Sequence, residues 1–275
     1  MKKDIRFEIK TVTPEMAKSL LERNGVNRRL SSQANSIARD ILAGNYQLNG
    51  ECIKIYADGT LADGQHRLNA VIIAGIPVQM CFCYNVPREV TIFDRGRKRS
   101  ETDSLIIAGM DPKLACGFNV AIAKLILYIE ESLSVFSSNE IESFLKDNSE
   151  GLLAVNSLTH TAKMKEEINT HCAPFGAALL YALNSGISEE VLNKFEYIVR
   201  KGFASNDNES AAIVCRNNLL SKTINVGGGA QDRKRAVFQI SKAIKDFSNR
   251  EPRKRTYAKW EDKVFQDYKK AAPTA

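Results

Sequence analysis

The sequence lacks any hydrophobic run long enough to cross a bilayer. Its 275 residues are 44% hydrophobic and 26% charged, as is typical of a globular protein with a sizeable core. A membrane-spanning helix needs roughly 20 consecutive apolar residues, and no segment approaches that length. The first eight residues, MKKDIRFE, lack the apolar stretch of a secretory signal. These absences lead us to expect a cytoplasmic protein without a membrane partner.

Motifs built on paired cysteines or on a P-loop are also absent. Without C-x-x-C spacing or a secretion signal, the six cysteines are expected to be reduced and mostly buried. They are Cys52, Cys81, Cys83, Cys116, Cys172 and Cys215. The spacing of His160, His171 and Cys172 is not that of a regular metal site. The motif G-x-x-x-x-G-K-[ST] does not occur, which excludes a P-loop nucleoside triphosphatase.

An acidic excess is absent as well, and the basic excess is confined to one end of the chain. The net charge is +7, and residues 228–275 hold 13 Lys and Arg against 6 Asp and Glu, so the first 227 residues are neutral overall. An asymmetric basic segment is typical of a protein that binds a polyanion, most often nucleic acid. A solubilising tail is the alternative.

The first 108 residues mix strand and helix patterns. Alternating apolar residues predict a strand over 5–12, and Thr13-Pro14 is typical of the start of a helix. The Asp58-Gly59 pair between two apolar runs predicts a β-hairpin. A further apolar strand is predicted over 76–86, so this half of the chain has an α+β pattern.

After residue 108 the pattern is helical. An apolar helical face begins at Leu114, Ser137 and Glu140 form a predicted capping box, and Ser188 is typical of a further helix start. No convincing strand pattern follows Val86. We therefore predict an α+β chain with a small mixed α/β domain over 1–108 and an all-helical domain over 109–275 that ends in the basic segment.

The strongest chemical signal is a polar stretch between a predicted strand and a predicted helix, from Asp63 to Arg67. The N-terminus of a helix favours an anion because its N–H groups and its dipole point outward. Gly64 has no Cβ to keep a ligand from the backbone, and Asp63 is suited to capping the helix or holding a metal. His66 and Arg67 add a titratable group and a bidentate phosphate donor. The alternative is a capped surface turn without a ligand.

The stretch LADGQHRLNA at residues 61–70 resembles the signature of the ParB/sulfiredoxin-like superfamily, particularly its DGQHR-containing phage and bacterial branch. Similar flanking blocks are Asn27-Arg28-Arg29-Leu30, Gly44-Asn45-Tyr46, Asp58-Gly59-Thr60, Gly75-Ile76-Pro77 and Phe93-Asp94-Arg95-Gly96-Arg97-Lys98-Arg99. The resemblance covers about residues 5–108 and implies a ParB-like N-terminal domain, in the host cytoplasm if a phage encodes the chain. It also implies that Gly64, Gln65, His66 and Arg67 contact the phosphate of a nucleotide or nucleic acid.

Members of this superfamily include nucleotide-dependent partition proteins, phosphoryl-transfer enzymes, nucleases and DNA-modification regulators. The present sequence departs from two of its branches. Gln65 stands where sulfiredoxins carry a catalytic cysteine, and the Gly-Glu-Arg-Arg form of the partition proteins is absent. Neither reduction of a sulfinic acid nor a CTP-gated clamp is therefore expected.

A second candidate block is the basic stretch that follows the last predicted strand. Arg95 and Arg97 are expected to join the 63–67 loop in binding phosphate. Asp94 is predicted to act with Asp63 and His66 as acid, base or metal ligand. The alternative is a solvated loop before a capped helix. Further candidates for nucleic-acid contacts are Arg28, Arg29, Lys98, Arg99, Arg233, Lys234, Arg235, Arg253, Lys254 and Arg255.

Three functions remain open on this evidence. The leading prediction is a nucleic-acid-associated ParB-like protein that binds phosphate or nucleotide through residues 63–67 and DNA through its basic segments. The second is a nuclease or nucleotide-dependent phosphotransferase that uses the same loop, with a nucleoside triphosphate and a divalent metal such as Mg²⁺ as cofactors. The third is a regulatory adaptor without catalysis.

Overall fold

The computed structural model describes residues 4–23, 32–87 and 100–253, which divide into two compact units. The first unit holds the described residues up to 87 together with Ser134–Glu140, and the second holds Ser100–Leu133 and the described residues from Ile141 onward. The described part contains eleven α-helices and four strands and is an α+β fold, which confirms the predicted fold class. Helix α4 (Glu101–Ile107) groups with the second unit, whereas the sequence division assigned it to the N-terminal domain.

A four-stranded mixed sheet forms the first unit with three helices. Its strands are β1 (Arg6–Val12), β2 (Cys52–Tyr56), β3 (Leu61–Asp63) and β4 (Val78–Val86), and its helices are α1 (Pro14–Glu22), α2 (Gln33–Leu42) and α3 (Gln65–Ala74). The strand order is β1-β4-β2-β3. Strand β4 pairs antiparallel with β1 and parallel with β2, and β2 pairs antiparallel with β3. The hairpin predicted at Asp58-Gly59 is thus confirmed.

One face of this sheet packs against the helices. Ile53 and Ile55 of β2 and Met80 and Phe82 of β4 share a buried cluster with side chains from α1, α2 and α3. Because successive side chains of a strand point to opposite faces, the residues between them lie on the other face of the sheet. Those residues are Cys52, Lys54 and Tyr56 of β2 and Cys81 and Cys83 of β4.

Local capping signals explain several helix starts in the described part. The Thr13 side chain accepts a hydrogen bond from the Met16 N–H at the start of α1, as predicted. The capping box is present too: the Ser137 N–H donates to Glu140 Oε2 at 2.7 Å, and the Glu140 N–H donates to Ser137 Oγ at 3.2 Å. The Ser188 side chain accepts a hydrogen bond from the Val191 N–H, as Thr13 does from Met16. Each cap satisfies a backbone N–H that has no partner within the helix.

All regular secondary structure in the described residues of the second unit is helical. After α4 come α5 (Gly117–Glu131), α6 (Ser138–Asp147, whose first turn lies in the first unit), α7 (Ser149–Leu158), α8 (Ala173–Asn184), α9 (Glu189–Lys201), α10 (Ser210–Leu220) and α11 (Ala230–Ser248). Helix α8 is the most buried of them, with nearly every residue from Pro174 to Ala182 inside the core. In the ranges described, no strand follows Val86, and no helix combines the length and apolar character needed to cross a membrane.

Candidate functional site

A single glycine connects β3 to α3. Asp63 ends the strand and Gln65 begins the helix, so Gly64 makes the whole turn with a φ of 107° and a ψ of 9°. This left-handed conformation favours glycine. A Cβ atom at Gly64 would lie 2.5 Å from Ile53 Cδ1 and 3.2 Å from Ile53 Cα. The bare side of Gly64 thus faces strand β2, and packing accounts for the missing Cβ without a ligand.

The Asp63 carboxylate lies between two cations. Its Oδ2 is 3.3 Å from Lys54 Nζ and 3.7 Å from Arg67 Nη2, while Oδ1 accepts a hydrogen bond from the Gly64 N–H at 2.7 Å. All three charged side chains are largely buried, with 17% of Asp63, 23% of Lys54 and 15% of Arg67 exposed. The interpretation of Asp63 as the helix cap is wrong, because Gly64 is the N-cap residue and no side chain caps α3.

The two terminal nitrogens of Arg67 have different surroundings. Nη2 donates a hydrogen bond to the Cys52 carbonyl oxygen at 3.0 Å. Nη1 is buried and has no hydrogen-bond partner among the described residues. The Glu51 carboxylate lies 4.0 Å from Nη1 on a side chain that is 65% exposed. A buried donor without an acceptor costs about 1–3 kcal/mol, and more when it is charged. Arg67 therefore offers a charged N–H that an anion can satisfy.

Among the described residues of this site, two largely buried cations lie beside one largely buried carboxylate. Lys54 and Arg67 supply two positive charges against the one negative charge of Asp63, and Glu51 is mostly in solvent. Burial raises the pKa of the Tyr46 phenol, and the nearby Arg67 charge counteracts this effect only in part. Tyr46 therefore adds no negative charge. Arg67 therefore keeps a buried charge whose Nη1 has no acceptor among the described residues, which favours a bound anion.

Gln65 and His66, the middle residues of the motif, differ in exposure. Gln65 is 4% exposed, and its carbonyl oxygen accepts a hydrogen bond from Asn69 Nδ2 at 2.9 Å. The His66 side chain is partly exposed. Solvent or a ligand can therefore reach His66 but not the Gln65 side chain. Of the predicted phosphate ligands in this loop, the Arg67 side chain and the Gly64 N–H lie beside the Asp63–Lys54 pair.

Many predicted site residues lie outside the described residues. They are Arg28, Arg29, Asp94, Arg95, Arg97, Lys98, Arg99, Lys254 and Arg255. The predicted pocket shared by the 63–67 loop and the second basic block therefore stays a prediction, as does the catalytic role of Asp94.

The predicted basic cluster at 233–235 lies on the first turns of α11. Arg233 and Arg235 are exposed, and Lys234 is partly exposed. Arg233 Nε donates a hydrogen bond to the Gly228 carbonyl oxygen at 2.9 Å. A Cβ at Gly228 would lie 2.4 Å from Asp232 Oδ2, so this carboxylate packs against the glycine-rich turn. An acidic side chain already placed at the helix start disfavours phosphate binding by the glycine-rich turn before α11, whereas Arg235 faces solvent.

Arg253 has a partner within the fold. Its guanidinium hydrogen-bonds to the Asp246 carboxylate, which is 3% exposed, and its backbone N–H donates to Ser210 Oγ at 2.8 Å. Lys242 Nζ lies 3.5 Å from the same carboxylate. Arg253 thus anchors the end of α11, and its charge is largely matched by a buried anion.

The described residues provide no fitting magnesium site. Mg²⁺ is held by carboxylate and other oxygen ligands, but the Asp63 carboxylate is already bound by Lys54 and the Gly64 N–H. Across the three described ranges, no group of three or more His, Cys, Asp or Glu is arranged to hold a metal. We therefore derive no metal-dependent step for this loop.

The histidines of the second unit belong to a structural network. Glu196 is fully buried and accepts hydrogen bonds from Thr170 Oγ1 at 2.6 Å and Arg200 Nε at 3.0 Å, and it lies 3.1 Å from His160 Nδ1. His171 contacts Thr159 Oγ1 instead, at 2.9 Å. These contacts fasten the connection between α7 and α8 to α9. Sequence reasoning singled out neither Glu196 nor this network.

Sequence reasoning also missed Lys54. The signal was present, because a hairpin closed at Asp58-Gly59 brings β2 and β3 side by side, and Lys54 is the register partner of Asp63. The alternation of β2 places Lys54 opposite to the buried Ile53 and Ile55. Together, these two patterns predict a lysine beside the motif.

Comparison with known proteins identifies no relative of this chain. No family model, no curated protein and no solved structure matches this chain. The resemblance to the ParB/sulfiredoxin-like superfamily therefore stays a prediction carried by the motif residues.

Proposed function

We propose that this protein binds a phosphate-bearing ligand, a nucleotide or a nucleic acid, at the start of α3, and that it binds DNA through exposed basic side chains of its C-terminal segment. The observation that carries the first part is the buried Arg67 Nη1, which has no hydrogen-bond partner in the described part of the chain. A phosphate oxygen is a strong acceptor for a guanidinium N–H, and the pair is worth more than a neutral hydrogen bond.

Three further features support a phosphate as the ligand. Among the described residues, the two largely buried cations Lys54 and Arg67 lie beside the single carboxylate of Asp63. Helix α3 starts without a capping side chain, and a helix N-terminus favours an anion. The Glu51 carboxylate, 4.0 Å from Arg67 Nη1, is exposed enough to move aside. A phosphate that replaces Glu51 would satisfy the unpaired N–H of Arg67.

Arg67 and Glu51 variants test this proposal in opposite directions. Titration calorimetry with ATP, CTP and a short 5′-phosphorylated DNA strand gives the dissociation constants. Arg67→Ala should weaken binding about 10- to 100-fold, since one charge-assisted hydrogen bond contributes about 1.5–3 kcal/mol. Arg67→Lys should recover only part of the loss, because lysine lacks the planar fork. Glu51→Gln should tighten binding, because the variant removes a competing carboxylate at an exposed position.

Circular dichroism of Arg67→Ala controls for folding, since Arg67 also bonds to the Cys52 carbonyl. The gain expected from Glu51→Gln does not depend on that control. Equal affinities in wild type, Arg67→Ala and Glu51→Gln would contradict phosphate binding at this junction.

The DNA-binding part is tested by salt dependence. Each lost phosphate contact should flatten the slope of log affinity against log salt by about 0.9 on duplex DNA. Arg235→Ala combined with Lys254→Ala and Arg255→Ala removes three candidate contacts but retains Arg253, which is bound to Asp246. A slope reduction of about 2–3, similar on unrelated sequences, supports the proposal.

The matched control removes the same charge elsewhere. The side chains of Lys18, Lys113 and Lys165 are exposed, and their triple alanine variant should leave the salt slope unchanged. The same loss of slope in both triple variants would show that net charge alone attracts DNA. An unchanged slope in both would favour the regulatory adaptor.

A further inference from the structure

Two cysteines face each other across the parallel pair of strands in the first unit. Cys52 of β2 and Cys81 of β4 are register partners, and their sulfur atoms are 2.9 Å apart. Both side chains lie on the face of the sheet that does not pack against α1, α2 and α3, in a small cluster with Cys83. All of these thiols are free.

The backbone geometry at this pair suits a disulfide. Adjacent strands are about 4.8 Å apart, and disulfide-bonded cysteines have Cα atoms about 4.4–6.8 Å apart. A disulfide needs a sulfur separation of about 2.05 Å, so the two thiols need to approach by less than about 1 Å. The strand pairing already holds the two Cα atoms, and rotation of the side chains can supply that approach.

The thiols of Cys52 and Cys81 differ in solvent exposure, and this difference sets the order in which they react with an oxidant. Cys81 is partly exposed, whereas Cys52 is 8% exposed. Burial, together with the neighbouring Cys81, raises the pKa of Cys52 to about 11, which keeps it a thiol at neutral pH. An oxidant dissolved in water therefore meets Cys81 first, and Cys52 is the thiol within reach to react next.

We infer that Cys52 and Cys81 form a reversible intramolecular disulfide when the protein meets a peroxide. The Cys81 thiolate attacks one peroxide oxygen, an S–O bond forms as the O–O bond breaks, and hydroxide leaves and takes up a proton to give water. Cys52 loses its proton and attacks the Cys81 sulfur, the S–S bond forms as the S–O bond breaks, and a second water leaves. Two thiols lose two electrons, and one hydrogen peroxide becomes two waters. A dithiol reductant reverses the change.

Cys83 is the competing partner that the geometry disfavours. It lies two residues after Cys81 on the same face of β4, but its register partner on β2 is Lys54 and not a cysteine. The inference is therefore specific to the Cys52–Cys81 pair.

Peptide mapping of the full chain tests the inference. The reduced protein is treated with hydrogen peroxide, blocked with N-ethylmaleimide and analysed by mass spectrometry. Two of the six thiols should escape blocking, with the loss of two hydrogen atoms per chain, and dithiothreitol should restore them. Trypsin releases Cys52 within residues 40–54 and both Cys81 and Cys83 within residues 68–88. A second cut by chymotrypsin after Phe82 separates Cys81 from Cys83 and identifies the partner.

Serine variants provide the matched controls. Cys52→Ser and Cys81→Ser should abolish the disulfide, whereas Cys83→Ser and the fully buried Cys215→Ser should leave it intact. The wild-type peptide map decides the matter even if a variant fails to fold. Six thiols still free at a peroxide concentration that oxidises glutathione would overturn the inference. A disulfide mapped to Cys83, or one found only between chains, would overturn it as well.

Discussion

Replacing Gly64 by alanine should destabilise the first unit much more than the same change at another left-handed glycine. At a φ of 107° an alanine pays about 1–2 kcal/mol for a conformation that L-residues avoid. Its Cβ would also lie 2.5 Å from Ile53 Cδ1, and overpacking of this kind costs about 1–3 kcal/mol. The expected loss for Gly64→Ala is therefore about 2–5 kcal/mol of unfolding free energy.

Gly75 provides the matched control, because it ends the same helix. Its φ is 70°, and a Cβ there would meet nothing within 4 Å. Gly75→Ala should therefore lower the unfolding free energy only through the left-handed backbone conformation, by about 1–2 kcal/mol. Urea-dependent hydrogen exchange, read on peptides from β2 and α3, measures the unfolding free energy of the first unit alone. This readout matters because two units need not unfold in one step.

Ile53→Val tests the origin of the difference. The change removes the Cδ1 atom that the new Cβ would strike but leaves the 3.2 Å contact with the Ile53 Cα. The double variant should therefore cost less than the sum of the two single changes, by about 1 kcal/mol. Equal costs for Gly64→Ala and Gly75→Ala, together with additive behaviour of Ile53→Val, would refute the argument that Gly64 is required by its approach to β2.

Two further predictions concern the second unit. Arg253→Ala should lower the unfolding free energy by about 1–2 kcal/mol, because the buried Asp246 carboxylate loses the hydrogen bond from the guanidinium, while Lys242 stays at 3.5 Å. In the same urea titration the exposed Arg235→Ala should change stability by less than about 0.5 kcal/mol, and equal effects would contradict the argument. Hydrogen bonds from Lys201 and from the Lys163 N–H lower the pKa of Glu167 from 4.5 to about 2. The stability that the Glu167 carboxylate contributes is therefore complete above pH 4.5 and is lost as the pH falls toward 2. Glu167→Gln should remove that part of the acid sensitivity of the urea midpoint, and identical pH profiles would contradict it.

Local signals made much of the fold predictable. The Thr13 cap, the Ser137 capping box and the Asp58-Gly59 turn each act over a few residues, so the sequence alone locates them. The parallel pairing of β2 with β4 is different, because it joins strands separated by a hairpin and a helix. No short-range pattern specifies it, and the Cys52–Cys81 neighbourhood depends on it.

Two helices show why periodicity predicts some elements poorly. Helix α8 is buried on nearly all sides from Pro174 to Ala182, so it lacks the polar face that reveals an amphipathic helix. The apolar periodicity of α11 covers only residues 236–247, but the helix begins at Ala230. Its first turns carry Asp232 and the basic cluster, whose side chains have no apolar periodicity. The cluster therefore lies on a helix rather than before one.

The position of the candidate site was predictable from the sequence, but which of its residues serve the fold and which can bind a ligand was not. The residues that make the DGQHR motif conspicuous meet two separate requirements. Gly64 is needed to bring α3 against β2, and Asp63 holds Lys54 and the turn. Both contacts are internal, and a sequence cannot distinguish an internal contact from one made to a ligand. Only Arg67 keeps a buried charged N–H without an acceptor in the described chain.

This division has an experimental consequence. Substitutions that act on packing, such as Gly64→Ala, should change stability and reduce ligand binding only through loss of the fold. Glu51→Gln acts on an exposed carboxylate 4.0 Å from Arg67 Nη1 and should change affinity with little effect on stability. A motif that served the fold alone would respond to the first change and not to the second. The affinity of the Glu51 variant is therefore the measurement that separates a structural motif from a phosphate-binding site.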